Sequence, residues 1–174
     1  AVVHAGGNVR FVEVDPDTFG VSVEGLGKAL TGDTVGVVVV HIAGIVTPKM
    51  AEIKKFCDDN NLFLLEDAAH AHGSVFDGEK AGTFGTAASF SFYPTKVITS
   101  GEGGMIVTDS EKIRDEAMMY RDQGKASFTT NISDKLGNNW RMSEVHAAIG
   151  LTLFRHLEEF IEEFIRFSSI RQHF

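Results

Sequence analysis

The sequence has one cysteine, three prolines and no excess of positive charge, and each scarcity removes a class of protein. One cysteine cannot build a disulfide framework. Cys57 stands in "EIKKFCDDN" beside apolar residues at helical spacing, which predicts a buried thiol in a reducing compartment. Three prolines, no internal repeat and no low-complexity tract leave no candidate linker, so the 174 residues are expected to form one domain. A net charge of −8 and the absence of any Lys/Arg-rich run disfavour nucleic acid as a partner. No apolar run approaches the roughly 20 residues that span a bilayer, and no basic segment leads into a hydrophobic one at the start. The expected location is cytoplasmic, away from membranes. The chain also lacks an initiator methionine and opens on "AVVHAGGNVRFVEVD", as though a strand were entered midway, so a piece of something longer is expected.

What is present is an ordinary globular composition, 43% hydrophobic and 23% charged, in a chain long enough to bury roughly 70% of its unfolded surface. The alternation in "NVRFVEVD" (Asn8–Asp15) predicts a short half-exposed strand. "SVEGLGKAL" predicts a helix capped by Ser22. The valine-rich run "TVGVVVVHIAG" (Thr34–Gly44) has no alternation, the pattern of a strand buried on both faces of a parallel sheet. "TPKMAEIKKFCDDNN" opens with Thr47 as cap and Pro48 at the first helical position, and places Met50, Ile53, Phe56 and Cys57 on one face. "LFLLEDAAH" predicts the next buried strand, with polar groups only at its carboxyl end, and "TAASFSFY" and "GGMIVTD" predict two more. Helices follow, capped by Ser110 and by Ser143, the second continuing through the amphipathic "LEEFIEEFIRFSSIRQHF". Between them, residues 126–141 are polar and aperiodic, a long loop of the kind that is usually functional in a compact domain. Alternating strands and helices define an α/β fold, a mostly parallel sheet with helices on both faces.

In such a sheet, ligands bind beyond the carboxyl ends of the strands. Two residues stand at such ends, Asp67 after "LFLLE" and Lys96 after "SFSFYPT". Each alone has a plain structural explanation: the aspartate caps a turn, and the lysine reaches solvent. Together they suit chemistry in which an amine bonds covalently to a carbonyl cofactor and a carboxylate keeps a heterocycle protonated, which is the need of pyridoxal phosphate. "AHAHG" offers His70 and His72 near Asp67, but a metal site needs three or four convergent ligands, and no further cluster appears at suitable spacing, so no metal is expected. "GEGG" matches neither a dinucleotide fingerprint nor a Walker motif and is expected to be a tight turn after the lysine.

"EDAAHAHGS", "GTFGTAASFSFYPTKVITSGEGGMIVTD" and "GNNWRMSEVHAAIGL", in that order, closely resemble the DegT/DnrJ/EryC1/StrS family of pyridoxal-phosphate aminotransferases, whose fold is that of the type I transferases. The resemblance extends from "HAGGNVRFVEVDPDTF" to the helix past Leu151. It implies that Lys96 forms the covalent link to the cofactor and then shuttles a proton, that Asp67 pairs with the pyridine nitrogen, and that Ser91 binds the phosphate. Asn139 matches an asparagine that reaches the cofactor of the partner subunit, which implies a homodimer. His70 stands where this family often has glutamine, a departure that keeps a hydrogen bond to the cofactor's ring oxygen available. Some relatives carry histidine in place of the lysine and act as dehydratases; Lys96 favours transamination.

The implied reaction moves an amino group, usually from glutamate, to a nucleotide-linked keto sugar. The resemblance also implies a longer parent. Residues 1–157 would be the middle of the cofactor-binding large domain, and 158–174 a helix leading toward a small C-terminal domain. On that reading the 174-residue piece is a weak or inactive dimer of its parent enzyme. The alternative is a truncated, inactive aminotransferase-like chain that acts as a binding or assembly module.

Overall fold

A computed structural model describes residues 1–127, 129 and 132–171, with side chains described as far as residue 167. Parts of the expected 126–141 loop and the last three residues of the expected 158–174 helix therefore lie outside the described residues.

The chain runs α1 (Val23–Ala29), β1 (Gly36–Val40), α2 (Met50–Asp59), β2 (Phe63–Asp67), a small hairpin of β3 (Val75–Phe76) and β4 (Glu79–Lys80), β5 (Ala87–Ser91), β6 (Gly104–Val107), α3 (Glu111–Arg121), α4 (Glu144–Phe154) and α5 (Leu157–Arg171). The main sheet has the order β1-β2-β5-β6. β1, β2 and β5 are parallel, and β6 returns antiparallel to β5. The helix between β1 and β2 supplies the crossover that a parallel pair requires. Expected and observed architecture agree: an α/β layer with a mostly parallel sheet.

Serine caps begin three helices where the sequence places them. Ser22 Oγ accepts from the Gly25 amide at 2.9 Å, Ser110 Oγ from Ile113 at 3.4 Å and Ser143 Oγ from His146 at 3.3 Å. Each satisfies one of the amides that a helix start leaves without a partner. Met50, Ile53 and Cys57 of α2 are buried against Val37, Val39 and Leu64 of the sheet, with Leu26 of α1 in the same cluster. Burial pushes the Cys57 thiol pKa up, as expected of an inert core thiol. Among the described residues no helix is long and apolar enough to cross a membrane.

Four local expectations change. The Asn8–Asp15 strand does not form. Only Val14 pairs, in an isolated bridge with Val21, because an alternating segment becomes a strand only where another strand offers it a ladder. Helix α2 starts at Met50 without a side-chain cap, since Thr47 is buried and its Oγ1 accepts from the Lys49 amide at 3.3 Å, before the helix begins. The valine run alternates after all: Val37 and Val39 are buried, whereas Val38 and Val40 on the opposite face are 43% and 44% exposed. The last helix is two helices. The His156 amide turns back to the Leu153 carbonyl at 3.0 Å, and α5 starts anew at Leu157.

Candidate functional site

Because β2 and β5 are parallel, their carboxyl ends lie at the same rim. Asp67 is the last residue of β2 and Ser91 the last of β5. Asp67 pairs in register with Ser89, and with the two-residue period of a strand Asp67, Ser89 and Ser91 share one face of the sheet. Beyond Ser91 the chain makes a closed excursion. The Ser100 amide and the Thr99 hydroxyl both donate to the Phe92 carbonyl, at 3.0 and 2.8 Å. Lys96 sits within this loop, fixed by its own amide donating to the Tyr93 carbonyl at 3.0 Å. The loop ends at Gly101, whose left-handed φ of +83° makes the turn that sends β6 back along β5. The "GEGG" stretch is thus the expected turn.

Asp67 is half-buried and does cap the turn after it, through one oxygen: Oδ1 accepts from the Ala69 amide at 3.1 Å. No protein group donates to its other oxygen among the described residues. Lys96 is half-buried, and no carboxylate pairs with it among the described residues. Ser91 Oγ accepts from the Tyr93 amide at 3.3 Å, which leaves its proton to donate elsewhere. His70 is exposed, and its Nδ1 accepts from the Ala43 amide at 3.3 Å. That bond assigns the proton of the neutral ring to Nε2, a free donor. The rim therefore presents an amine, an open carboxylate oxygen, a hydroxyl and an imidazole N–H.

Asn139 is held elsewhere. Its backbone bridges Asp122 at the end of α3, its neighbours tie to the same turn through Asn138 N to Tyr120 O at 2.8 Å and Trp140 N to Arg121 O at 2.9 Å, and its side chain is exposed. An ion pair between Arg141 and the buried Asp122 pins this stretch. Two concavities are lined by other residues. One of about 390 Å³ is apolar and lies over Val38 and Val40. The other, of about 590 Å³, lies beside Asp115 and Asp122. Neither includes Asp67, Ser91 or Lys96.

Sequence reasoning passed over the most heavily bonded side chains near the site. Glu66, one residue before Asp67, points to the opposite face and is fully buried. Its carboxylate accepts from His41 Nε2 at 2.9 Å and from the amides of Gly82, Phe84 and Gly85 at 2.7, 2.8 and 2.7 Å. Burial alone would raise its pKa; the hydrogen bonds from His41, Gly82 and Gly85 outweigh it and hold the carboxyl below the usual value. The backbone amide of His41 also donates to the Asp67 carbonyl at 3.0 Å. The signal was a charged residue ending an apolar run, directly beside the aspartate that drew attention.

The class of fold is an α/β layer with a mostly parallel sheet, in which ligands generally bind beyond the carboxyl ends of the strands. The sequence profile of the DegT/DnrJ/EryC1/StrS aminotransferase family matches residues 1–169, and the chain belongs to that family. It is 36% identical over 161 residues to a GDP-perosamine synthase of Escherichia coli O157:H7, covering 92% of this chain and 44% of that protein. An L-glutamine:2-deoxy-scyllo-inosose aminotransferase of Streptomyces kanamyceticus is 35% identical, over 94% of this chain and 39% of its own length. The crystal structure of an aminotransferase from Psychrobacter cryohalolentis superposes with a TM-score of 0.84 at 32% identity, over 91% of this chain and 42% of that one. The chain thus spans less than half the length of the proteins it matches.

Proposed function

We propose that this chain is the cofactor-binding part of a pyridoxal-phosphate aminotransferase that aminates a nucleotide-linked keto sugar. The observation that carries the reading is that Asp67 ends β2 and the Lys96 loop follows the end of parallel β5, the amine without an ion-pair partner and the carboxylate with one oxygen free among the described residues. These groups fit the cofactor's donor and acceptor pattern. Asp67 would hold the pyridine nitrogen, His70 Nε2 would donate to the ring oxygen, and the Ser91 hydroxyl would donate to the phosphate. Pyridoxal phosphate, when bound, supplies an electron sink beside the bond that is broken. The residues supply the rest. The Lys96 amine would hold the cofactor and, as a free base, would take the proton from the substrate carbon and hand it on. The Asp67 carboxylate would keep the ring nitrogen protonated.

A relative's name specifies a GDP-linked sugar and another's specifies L-glutamine; with the rim chemistry these support a sugar-nucleotide acceptor and an amino acid donor, glutamate or its amide. Asn139, exposed on a pinned turn, would contact the cofactor of a second subunit, making the active unit a homodimer. The kink at residues 155–156 supports dividing residues 1–157, the partial cofactor domain, from 158–174, the lead into a smaller one. The second reading, a non-catalytic binding module, draws on the apolar concavity over Val38 and Val40, whose lining includes neither Asp67 nor Lys96. The intact protein with pyridoxal phosphate, a GDP- or TDP-linked keto sugar and glutamate or glutamine decides between them. Formation of the amino sugar, lost in Asp67→Ala, supports transfer; binding of the sugar nucleotide without amination supports the module.

A further inference from the structure

Among the described residues, three buried side-chain nitrogens have no hydrogen-bond partner, His41 Nδ1 and both nitrogens of His72. His41 is bonded through its other nitrogen; His72 is not bonded at all, although it is only 5% exposed. Its ring packs on Phe90 at 5.3 Å and Phe92 at 5.8 Å between centroids, the two residues that flank Ser91 on the sheet face opposite its hydroxyl. The next residue, Gly73, is left-handed at φ +77°, and a side chain there would collide with Ile161 of α5. The ring is therefore packed on two aromatic side chains, and α5 closes on the residue beside it. A phenylalanine would fill such a cage without burying unpaired nitrogens, so the histidine needs a reason.

Backbone geometry supplies one. The Ser89 carbonyl points toward β2 and accepts from the Ala68 amide at 2.9 Å. Two residues on, the Ser91 carbonyl points the same way, past the end of β2, where no strand amide remains to meet it. That carbonyl is the backbone group whose effect on the His72 ring favours a protonated nitrogen, while neither ring nitrogen makes a hydrogen bond in the structure. The charged groups acting on the ring are Lys96 and His70, and both oppose a positive charge there.

We infer that His72 is a positioning residue of the rim: as a neutral ring it gives its N–H to the Ser91 carbonyl, replacing the absent strand partner and fixing the start of the lysine loop. The inference concerns the site of the proposed function and rests on that reading for its effect on the cofactor, but its effect on the loop does not need it. Burial, with Lys96 and His70, holds the His72 pKa below the usual 6.5. The unfolded chain therefore takes up the proton first as pH falls below about 6.5, and the stability that the neutral ring contributes above that value is lost there.

Three variants of the intact protein separate the roles. His72→Phe keeps the aromatic cage and removes the donor; His72→Gln and His72→Asn keep a neutral donor. The probe is pyridoxal phosphate, with retained cofactor read by absorbance from pH 5 to 8, and hydrogen exchange of residues 92–100 is measured without it. The expected results are about tenfold weaker retention in His72→Phe at pH 8, the worth of one hydrogen bond, and faster exchange in the loop. At least one amide variant should restore both and flatten the decline below pH 6.5. Unchanged loop exchange in His72→Phe overturns the inference. Should that variant not fold, wild-type retention and loop exchange with a flattened acid decline in the amide variants still support it, and an unflattened acid decline overturns it. Should no pyridoxal phosphate bind to wild type at any pH, the proposed function fails, and loop exchange alone decides the role of His72.

Discussion

Glu66 and Asp67 are consecutive carboxylates on one strand, and the two sides of the sheet treat them oppositely. Glu66 faces the helix-covered side, where it is fully buried and takes four donors from His41 and the 82–85 turn. Asp67 faces the rim, half-buried, with one amide at one oxygen. A buried charge is tolerated only when its bonds are complete, so Glu66 has no capacity left for a ligand. An oxygen left open is what a ligand needs. The lesson is that the pleat sorts two chemically similar neighbours into a structural lock and a candidate binding group.

The largest expected effect breaks the lock. Glu66→Ala strands His41 and three amides in the interior, and should lower unfolding free energy by about 4 kcal/mol, or prevent folding outright, in urea titrations of the intact protein. Asp67→Ala, at the half-buried neighbour, should cost about 1 kcal/mol or less. Equal losses at both positions would erase the distinction.

Acid sharpens it further. The folded-state pKa of Glu66 is depressed, so its contribution is fully present above the unfolded value near 4.5 and disappears as pH falls through the folded value. Glu66→Gln, which keeps the shape and removes the titration, should be less stable than the parent at pH 7 by about 2 kcal/mol. The gap should narrow on acidification below pH 4.5, as followed by thermal melts across pH. A smaller effect is expected at the start of α4, where Ser143→Ala removes the cap and should cost about 1 kcal/mol. The smallest is Lys96→Ala, near 0.5 kcal/mol in the same assay, because a half-exposed loop amine with no ion-pair partner among the described residues leaves little behind.

How far the sequence revealed these regions follows the same division. Helix starts were legible because a serine cap is a local signal: Ser22, Ser110 and Ser143 each bond within their own first turn. The strand order of the rim was legible too, since Asp67 and Ser91 each close an apolar run and parallel pairing brings such ends together. Thr47 looked like a cap by the same local rule but was claimed by burial. Asn8–Asp15 alternated like a strand, but strand formation depends on a distant partner that its own residues do not encode. Glu66 with His41 is a contact across 25 positions, and the His72 ring packs on Phe90 and Phe92. Such meanings come from tertiary neighbours, and neither spacing nor composition carries them.

The central claim is that Lys96 is the amine of this rim that bonds pyridoxal phosphate. The most direct test is peptide mapping by mass spectrometry of the intact protein after incubation with pyridoxal phosphate at near-stoichiometric concentration and reduction with borohydride. The account predicts a single phosphopyridoxyl group on the peptide that contains Lys96, and none in Lys96→Ala. Label spread over the exposed lysines, or retained at full yield in Lys96→Ala, would contradict it.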